Sequence, residues 1–425
     1  MQDIDLIPAN SPETKESGNT KTWEKVPLRD VCLKITDGTH DTPIVMRKGV
    51  PFLTAIHVQA HGVDYENCLY ISQSAHQQIY KRCNPERNDI LLVNIGGGVG
   101  TSAVVEVDYE FSIKNVALLK PNPRKVLGIF LNQVLRLNRA RIANSLLSGG
   151  AQPFLSLSQI GQIPLSLPPL AEQRAIATAL SDMDALIAAQ EKLIAKKRDI
   201  KTATLQQLIT GRKRLPGFGE GKRNRSTDIG FVPEDWRLSS IAKESLTYSG
   251  GTPPTHRPDY YAGDIPWITS ADLRVQRIHM VSGGISLAGL INSSAKMVEP
   301  DTVLLALYGA TAGVVALTKI RAAINQAVLA IVPKKLSAEF LLYWLNLKKD
   351  RIVETFTQGG QPNLSGQIIR NLIVAIPPIP EQRAIAEVLS DMDNEITALE
   401  ARLSKLRDIK QGMMQELLTG RTRLV

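Results

Sequence analysis

Residues 172–215 are EQRAIATALSDMDALIAAQEKLIAKKRDIKTATLQQLITGRKRL, and residues 381–424 are EQRAIAEVLSDMDNEITALEARLSKLRDIKQGMMQELLTGRTRL. The two stretches lie 209 residues apart (381 − 172), and 26 of their 44 aligned pairs are identical. Similarity at a fixed offset indicates an internal duplication, which has to be recognised before the rest of a fold is interpreted. The chain is therefore predicted to contain two copies of one structural plan.

Apolar residues recur in both stretches at alternating steps of four and three, which is the heptad seam of a coiled coil. In the first copy, polar Gln190 and Lys197 occupy the positions where the second copy has leucines. The residues that we predict to pair the two helices are Ile176, Leu180, Met183, Ile187, Ile194, Ile385, Leu389, Met392, Ile396, Leu399, Leu403 and Leu406.

Each stretch carries the start and stop signals of one long helix. A double proline at 168–169 or 377–378 cannot continue a helix from upstream, and Gly211 or Gly420 is the usual kind of helix-ending residue. A helix from Glu172 to Thr210 would be roughly 58 Å long at 1.5 Å per residue. Two seams in one chain are buried most simply by pairing with each other. Both directions are sterically possible; we expect antiparallel pairing, which places the globular parts at opposite ends.

The segments outside the helices also form a pair, at lower similarity. Trp23 matches Trp236, and Gln152-Pro153 matches Gln361-Pro362. Short apolar runs bounded by turn residues predict β-rich domains, with one clear helix at 126–147 in the first. The predicted fold class is therefore α+β: two β-rich domains separated by two long helices that pair as an antiparallel coiled coil.

The predicted boundaries follow from composition and from the repeat. They are a disordered N-terminal tail (1–22), a first β-rich domain (23–167), a first helical region (168–211), a basic linker (212–235), a second β-rich domain (236–376) and a second helical region (377–425). For the linker, a solvated hinge and a segment that contacts phosphates both fit the composition.

The composition indicates a cytosolic protein with a polyanionic partner. The net charge is +9 and the pI about 9.3, although basic proteins of several classes share this property. Cys32, Cys68 and Cys83 are odd in number and lack a CxxC spacing, so we predict reduced, buried thiols. The polar, acidic tail does not resemble a signal peptide. The uncharged run 302–318 is short for a membrane span and is better explained as a buried strand pair.

Catalytic and metal-binding motifs are missing from the sequence. The glycines at 96–100 are not followed by the GK[ST] of a phosphate loop, so a tight turn between strands explains them better. His57 and His61 have the spacing of a zinc site, but Val58 stands where a metalloprotease needs glutamate. We predict no catalytic residue and no metal site in this chain.

The candidates for nucleic-acid contact are polar and basic residues on predicted turns of the two domains. Such side chains bind base edges, and Lys or Arg binds phosphates, although for each residue taken singly an ordinary solvated loop position is the better explanation. They are Lys34, Thr36, Thr39, His40, Lys114, Asn115 and Gln152 in the first domain, and Ser249, Thr252, Thr255, Arg257, Tyr308, Asn325, Gln326 and Gln361 in the second.

Taken together, these motifs resemble the specificity subunit of type I restriction–modification systems. The resemblance rests on the doubled run of two prolines, Glu-Gln-Arg (172–174 and 381–383) and a long helix that ends in Leu-x-Thr-Gly-Arg (208–212 and 417–421). It covers nearly the whole chain after the tail. It implies a non-catalytic, cytoplasmic, prokaryotic subunit with two target recognition domains, each of which binds one half of a split site in double-stranded DNA, while the helices set the gap.

The resemblance also implies partners and cofactors. Two modification (methyltransferase) subunits would dock on the helices, and restriction subunits with translocase and nuclease activity would join them. S-adenosylmethionine, ATP and Mg²⁺ would then belong to those partners, with no cofactor in this chain. The expected docking residues are Glu172, Gln173, Arg174, Glu381, Gln382 and Arg383. Helix capping is the alternative role for the two glutamates.

Two other function classes remain to be tested against this hypothesis. A self-contained methyltransferase or nuclease would bind S-adenosylmethionine by itself. A coiled-coil adaptor without DNA contact would leave the DNA binding of its complex absent or insensitive to salt.

Overall fold

A computed structural model of the chain describes residues 23–144, 154–356 and 363–424. The predicted tail at 1–22 and the candidates Gln152 and Gln361 lie outside the described residues. The chain forms two compact units: the first comprises residues 1–191 and 401–425, and the second comprises residues 192–400. Each unit therefore contains one β-rich domain, the start of its own long helix and the end of the other long helix.

The first unit contains eleven strands within its described residues: β1 (Glu24–Pro27), β2 (Cys32–Asp37), β3 (Val50–Thr54), β4 (Val58–Gln59), β5 (Gly62–Val63), β6 (Leu69–Ile71), β7 (Ile90–Val93), β8 (Ser102–Val104), β9 (Ser112–Lys114), β10 (Val116–Pro121) and β11 (Pro164–Leu167). Its helices are α1 (Leu28–Val31), α2 (Gln73–Arg82), α3 (Gly128–Asn144) and α4 (Leu157–Gln162), followed by the long helix α5 (Leu170–Ile209), which continues into the second unit.

The second unit repeats this plan with the strands β12 (Asn224–Thr227), β13 (Gly230–Pro233), β14 (Arg237–Ser240), β15 (Ser245–Ser249), β16 (Tyr261–Ile268), β17 (Arg277–Ile278), β18 (Gly284–Ile285), β19 (Lys296–Val298), β20 (Val303–Ala306), β21 (Val315–Thr318), β22 (Ala322–Ile324), β23 (Val328–Pro333) and β24 (Ile373–Ile376). Its helices are α6 (Ile241–Glu244), α7 (Leu287–Ile291), α8 (Ala338–Phe356), α9 (Gly366–Asn371) and the long α10 (Ile379–Leu417), which continues into the first unit.

The sheet order of the first unit recurs in the second unit, where each of the two sheets has one additional edge strand. The first has β2-β10-β7-β8 beside β6-β3-β9, and the second has β15-β23-β20-β21-β17 beside β18-β16-β22-β19. β3 pairs in parallel with β9, and β16 pairs in parallel with β22. The domain match that was weak in sequence is therefore clear in topology, which confirms the predicted duplication of the α+β plan.

The central strands are buried on both faces, which explains why their sequences are continuously apolar. In β7, Ile90 and Leu92 pack in the core that contains the helices, while Leu91 and Val93 pack in a core on the opposite side of the sheet. β20 divides its four residues between two cores in the same way. β20 and β21 pair antiparallel, so the run at 302–318 is the buried strand pair that we predicted. None of the described helices is long and apolar enough to cross a membrane.

The first domain contains more helix than the sequence predicted. The predicted helix at 126–147 is α3, but the ten-residue α2 was missed. The polar sequence of α2 conceals it, although Ser72 caps it by accepting a hydrogen bond from the Ala75 N–H at 3.2 Å. The glycines at 96–100 lie between β7 and β8, and Gly96 and Gly100 both have positive φ, as a tight turn requires.

Burial raises the pKa of the Cys83 thiol to about 12, and the three cysteines are free.

The two long helices run antiparallel within each unit, as predicted. In the first unit, Lys410 donates a hydrogen bond to Asp184, and Arg407 lies 2.7 Å from Glu191. The second unit contains the equivalent of the Lys410–Asp184 pair, in which Lys201 donates to Asp393. Each of these residues differs by 209 positions from its counterpart in the first unit. Arg198 and Glu400 repeat the other pair. A parallel arrangement would not bring these residues together.

All twelve predicted seam residues are at least partly buried. Ile176 and Leu180 belong to the core of the first unit together with Met414 and Leu417, while Ile385 and Leu389 belong to a core of the second unit with Leu208 and Ile209. The start of each helix therefore packs against the end of the other and against its own domain. Full burial of such a side chain stabilises a fold by roughly 1.5–3 kcal/mol.

We expect Leu389→Ala to lower the free energy of unfolding of the second unit by about 2–5 kcal/mol, because it leaves a cavity in a core that contains Trp236 and Phe340. Urea unfolding followed by tryptophan fluorescence measures this loss, since three of the four tryptophans lie in residues 192–400. The control is Leu246→Ala, which removes an exposed leucine. Equal effects of the two substitutions would contradict the buried position of Leu389.

Candidate nucleic-acid interface

In the first unit, a glycine brings the loop after β2 against the end of β9. A Cβ on Gly38 would lie 1.9 Å from the Ile113 carbonyl oxygen, so only glycine fits there. The next residue, Thr39, donates its backbone N–H to the same carbonyl at 3.0 Å and forms a parallel bridge with Lys114. This close backbone approach places the loop beside the polar end of β9.

Four of the predicted contact residues meet at this point. The Lys114 ammonium donates to the Thr42 hydroxyl, and the His40 ring lies 3.2 Å from the Asn115 side-chain oxygen. His40 Nε2 also lies 3.0 Å from the Asp37 carboxylate. Asn115 has a φ of 54°, a conformation that asparagine tolerates better than most residues. We call Thr39, His40, Thr42, Lys114 and Asn115 the first polar cluster.

Two other candidates of the first unit do not join this cluster. Thr36 is 8% exposed within β2 and has little surface to offer a ligand. Lys34 donates its ammonium to the Arg82 carbonyl at 2.7 Å. The sequence search missed Thr42 and also Arg82, which forms an ion pair with Asp37. The Asp37-Gly38 sequence beside this arrangement is typical of a turn.

The second unit builds the same loop with different side chains. A Cβ on Gly250 would lie 1.8 Å from the Ile324 carbonyl oxygen, and the Gly251 N–H donates to that oxygen at 3.1 Å. The Thr252 hydroxyl then donates to the side-chain oxygen of Gln326. We call Ser249, Thr252, Asn325 and Gln326 the second polar cluster.

The remaining candidates of the second unit are more dispersed. Thr255 is exposed in the loop that follows Thr252. Arg257, also exposed, pairs with Asp259 at 2.8 Å and stacks over the ring of Tyr260 at 4.5 Å. Tyr308 follows β20 and forms a bridge with Asn363. The N–H of its neighbour Leu307 donates to the Ala327 carbonyl at 2.8 Å, next to Gln326 in the chain.

The Glu-Gln-Arg motif has a different environment from the one that a docking site would require. Glu172 is fully buried. Its carboxylate accepts hydrogen bonds from the Arg423 guanidinium, with 2.7 Å between Nη2 and Oε2, and from the Trp23 indole N–H at 3.2 Å. The Arg423 guanidinium also lies 5.4 Å from the Trp23 ring centroid. The hydrogen bond to Glu172 raises the pKa of Arg423. We call this arrangement the first clamp.

The second unit contains the same clamp. Glu381 accepts from Arg214 at 2.7 Å and from the Trp236 indole at 3.2 Å. Arg214 also forms a bidentate pair with Asp235, both bonds at 2.9 Å, which lowers the pKa of that carboxyl. Each clamp joins the tryptophan that precedes β1 or β14, the start of the long helix of that domain and the segment that follows the other long helix.

The glutamines of the motif bind backbone. Gln173 accepts from the Leu127 N–H and donates to the carbonyls of Lys125 and Pro168, all at 2.9 Å. Gln382 accepts from the Ser337 N–H at 2.8 Å and donates to the Pro377 carbonyl at 2.8 Å. The four Glu and Gln side chains expected at a subunit interface are thus used inside their own units. Arg174 and Arg383 are exposed, so they stay candidates for docking.

Two segments of the chain, residues 20–196 and 233–407, match the family model described as "Type I restriction modification DNA specificity domain". The two matches together span well over half of the sequence. The chain belongs to this family. Each match covers one β-rich domain together with most of the long helix that follows it.

The relatives agree with the doubled match. The type I restriction enzyme MjaX specificity subunit of Methanocaldococcus jannaschii is 24% identical over 427 residues, which covers 98% of this chain and 97% of that subunit. The crystal structure of the type I restriction-modification S subunit from M. genitalium has a TM-score of 0.59 at 15% identity and covers 95% of this chain and 98% of its own.

A chain solved in work on complex assembly and conformational transition of the type I restriction–modification system has a TM-score of 0.58 at 16% identity and covers 96% of this chain and 100% of its own. At these identities the two structures show a shared fold, which agrees with the predicted α+β class. Within the described ranges, no group of three or more His, Cys, Asp or Glu side chains is placed to hold a metal ion.

We expect Glu172→Gln to destabilise the first unit, because it removes the charge that balances a partly buried arginine while keeping the side-chain shape. Loss of one partner of a buried ion pair typically costs about 3–5 kcal/mol. Amide hydrogen exchange in β1 and at the start of α5 should accelerate. Glu416→Gln, which alters a half-exposed pair with Arg421, is the control and should leave exchange unchanged. Unchanged exchange in both variants would contradict a stabilising role for the clamp.

Proposed function

We propose that this family member binds a bipartite site in double-stranded DNA, with one half-site on each domain, and that the chain itself catalyses no reaction. The observation that carries the proposal is that both units present a polar cluster at the same place in the fold but with different side chains. Lys114 ends β9 and Asn115 follows it, whereas Asn325 and Gln326 follow β22. A shared scaffold with different contact groups suits two domains that bind different half-sites.

The chemistry of the clusters suits base edges in the major groove. An asparagine or glutamine amide can bond to adenine through two hydrogen bonds, and lysine can donate to guanine. His40 and Thr252 hold the amide oxygens of Asn115 and Gln326, which limits the orientations that these side chains adopt. An ordered side chain loses less conformational freedom when it binds.

We further propose that the long helices dock two modification subunits, one for each copy of the repeat, and set the gap between the half-sites. Arg174 and Arg383 are exposed at equivalent positions near the starts of α5 and α10, so a repeated partner could contact both. Restriction subunits would join the assembled complex in the prokaryotic cytoplasm. S-adenosylmethionine, ATP and Mg²⁺ would be bound by these partners.

The domain assignment is tested by a matched pair of isosteric substitutions, Asn115→Asp and Gln326→Glu. Each replaces an amide that can donate to adenine by a carboxylate that cannot, and one good bidentate contact provides about 1–3 kcal/mol of base discrimination. Methylome sequencing of a host that expresses the chain with its modification subunit should show a change in one half-site for Asn115→Asp and in the other half-site for Gln326→Glu.

The control for this pair is Gln207→Glu, an exposed helix residue, which should leave the methylated motif unchanged. If both cluster variants altered the same half-site, or if neither altered any base, the assignment of one half-site to each cluster would be wrong.

The role of the helices is tested by inserting one heptad into each of α5 and α10. Seven residues lengthen a helix by roughly 10 Å, which corresponds to about three base pairs at 3.4 Å each. The methylome of the host should show a longer gap between unchanged half-sites. A motif whose gap stays the same in a folded, active complex would show that the helices do not set the spacing.

A further inference from the structure

The loop between β2 and β3 carries the most exposed large hydrophobic side chain of the described residues. Residues 38–49 are GTHDTPIVMRKG, and Ile44 near their centre is 88% exposed. Its neighbours Val45 and Met46 are each 46% exposed. A single exposed apolar residue is ordinary on a protein surface, but three in succession on an otherwise polar loop suggest a contact surface. We call residues 44–46 the apolar tip.

Both ends of the apolar tip are held against the domain. On one side, the Thr42 hydroxyl accepts a hydrogen bond from the Lys114 ammonium of the first polar cluster. On the other side, the Met46 N–H donates to the Tyr70 carbonyl at 2.8 Å, and these two residues form an antiparallel bridge at β6. Ile44 lies two residues from each of these anchors, so it is held beside the first polar cluster.

Positive charge without an acidic partner adjoins the apolar tip. Arg47 and Lys48 follow it directly and are exposed, and no carboxylate among the described residues forms an ion pair with either. Together with Lys114 they make three cations, whereas Asp41 is the one carboxylate in residues 38–49. Unbalanced lysine and arginine favour a polyanion as the partner of this loop and suit the phosphates beside a DNA groove.

The side chain of Ile44 can make a favourable contact with one feature of a base edge. In the major groove, base edges present hydrogen-bond donors and acceptors and the 5-methyl group of thymine. Isoleucine has no polar side-chain atom, so against a donor or acceptor it would displace water without replacing the lost hydrogen bond. Against the thymine methyl group it loses nothing and removes apolar surface from water.

Insertion of an isoleucine between base pairs from the minor groove is the other known use of such a side chain on DNA. The anchors of the apolar tip favour the major groove instead. Thr42 is bonded to Lys114, and the backbone N–H of Asn115 donates to the Thr39 carbonyl at 3.2 Å. The same loop therefore carries the apolar tip and the amide that suits a base edge in the major groove.

The second unit has no apolar tip in the equivalent loop. After Gly250 this loop exposes the polar side chains of Thr255, His256 and Arg257, and none of residues 250–260 is an exposed aliphatic or aromatic residue. Each of these three side chains can form hydrogen bonds. The apolar contact thus distinguishes the first domain from the second.

From these observations we infer that Ile44 packs against the 5-methyl group of a thymine in the half-site bound by the first domain. Ile44 is then a specificity-determining residue for one A·T base pair, and Arg47 and Lys48 bind the adjacent phosphates. The inference rests on the proposed function, since it takes double-stranded DNA as the ligand of this domain.

The test removes a single methyl group from the DNA. Each thymine of the methylated motif, in both half-sites and both strands, is replaced in turn by deoxyuridine, which keeps the pairing with adenine and lacks only the 5-methyl group. The complex of the full chain with its modification subunit is titrated with these duplexes at fixed salt, and fluorescence anisotropy measures the affinities. At one thymine of the half-site bound by the first domain, the replacement should weaken binding about four-fold, the effect of one buried methyl group.

A variant of the chain assigns this effect to Ile44. In Ile44→Ser the aliphatic surface is lost, so the preference for thymine over deoxyuridine at that position should fall below roughly two-fold. The control is Leu33→Ser, which removes a leucine that is 68% exposed near the start of β2. It should keep the full preference, because Leu33 lies at the opposite end of β2 from the loop.

The half-site of the first domain is the one that Asn115→Asp changes. The inference would be overturned if no thymine of that half-site depended on its methyl group, or if Ile44→Ser kept the dependence. If Asn115→Asp changed the half-site while every deoxyuridine duplex bound normally, the inference alone would fail and the proposed function would stand. A complex that bound the motif no more tightly than a scrambled duplex would overturn both.

Discussion

A buried carboxylate holds each unit of this chain together. Glu172 and Glu381 are fully buried, and each is neutralised by an arginine that follows the end of the other long helix. Charge that is removed from water without a partner is strongly destabilising, so the helix that carries the glutamate and the segment that carries the arginine have to be adjacent. This requirement fixes the antiparallel direction of the helices independently of their apolar seam.

The clamps also explain why each compact unit includes parts of both helices. Trp23 donates to Glu172, so the residue that precedes β1, the start of α5 and the segment after α10 meet at one carboxylate. The cores repeat this grouping, with Ile176 and Leu180 packed beside Met414 and Leu417. A domain and its helix are therefore incomplete without the segment contributed by the other copy.

Much of the fold could be predicted from the sequence because periodicity and repetition are local signals. The predicted helix from Glu172 to Thr210 differs from the observed α5 by only one or two residues at each end. The roles of Glu172 and Gln173 could not be predicted, because a charged or polar residue in a first helical turn usually faces solvent. The partners of Glu172, Trp23 and Arg423, lie 149 and 251 residues away. Gln173 bonds to the backbone of Leu127 and Lys125, 46 and 48 residues away, and no local pattern connects these residues. The polar clusters fall between these cases. Turn signals located Thr39 and Asn115. Thr36 was also chosen as a candidate, because its burial results from the pairing of β2 with β10, which the sequence alone does not show.

The ion pairs between the helices have a consequence for how such chains diversify. Asp184–Lys410 becomes Asp393–Lys201 when the two copies are exchanged, and the clamps exchange in the same way. A genetic crossover within the shared EQRAIA segment would therefore transplant a whole domain while these ion pairs and both clamps keep their equivalents. Selection could then vary the ligand of one domain while the paired helices that carry both domains stay the same.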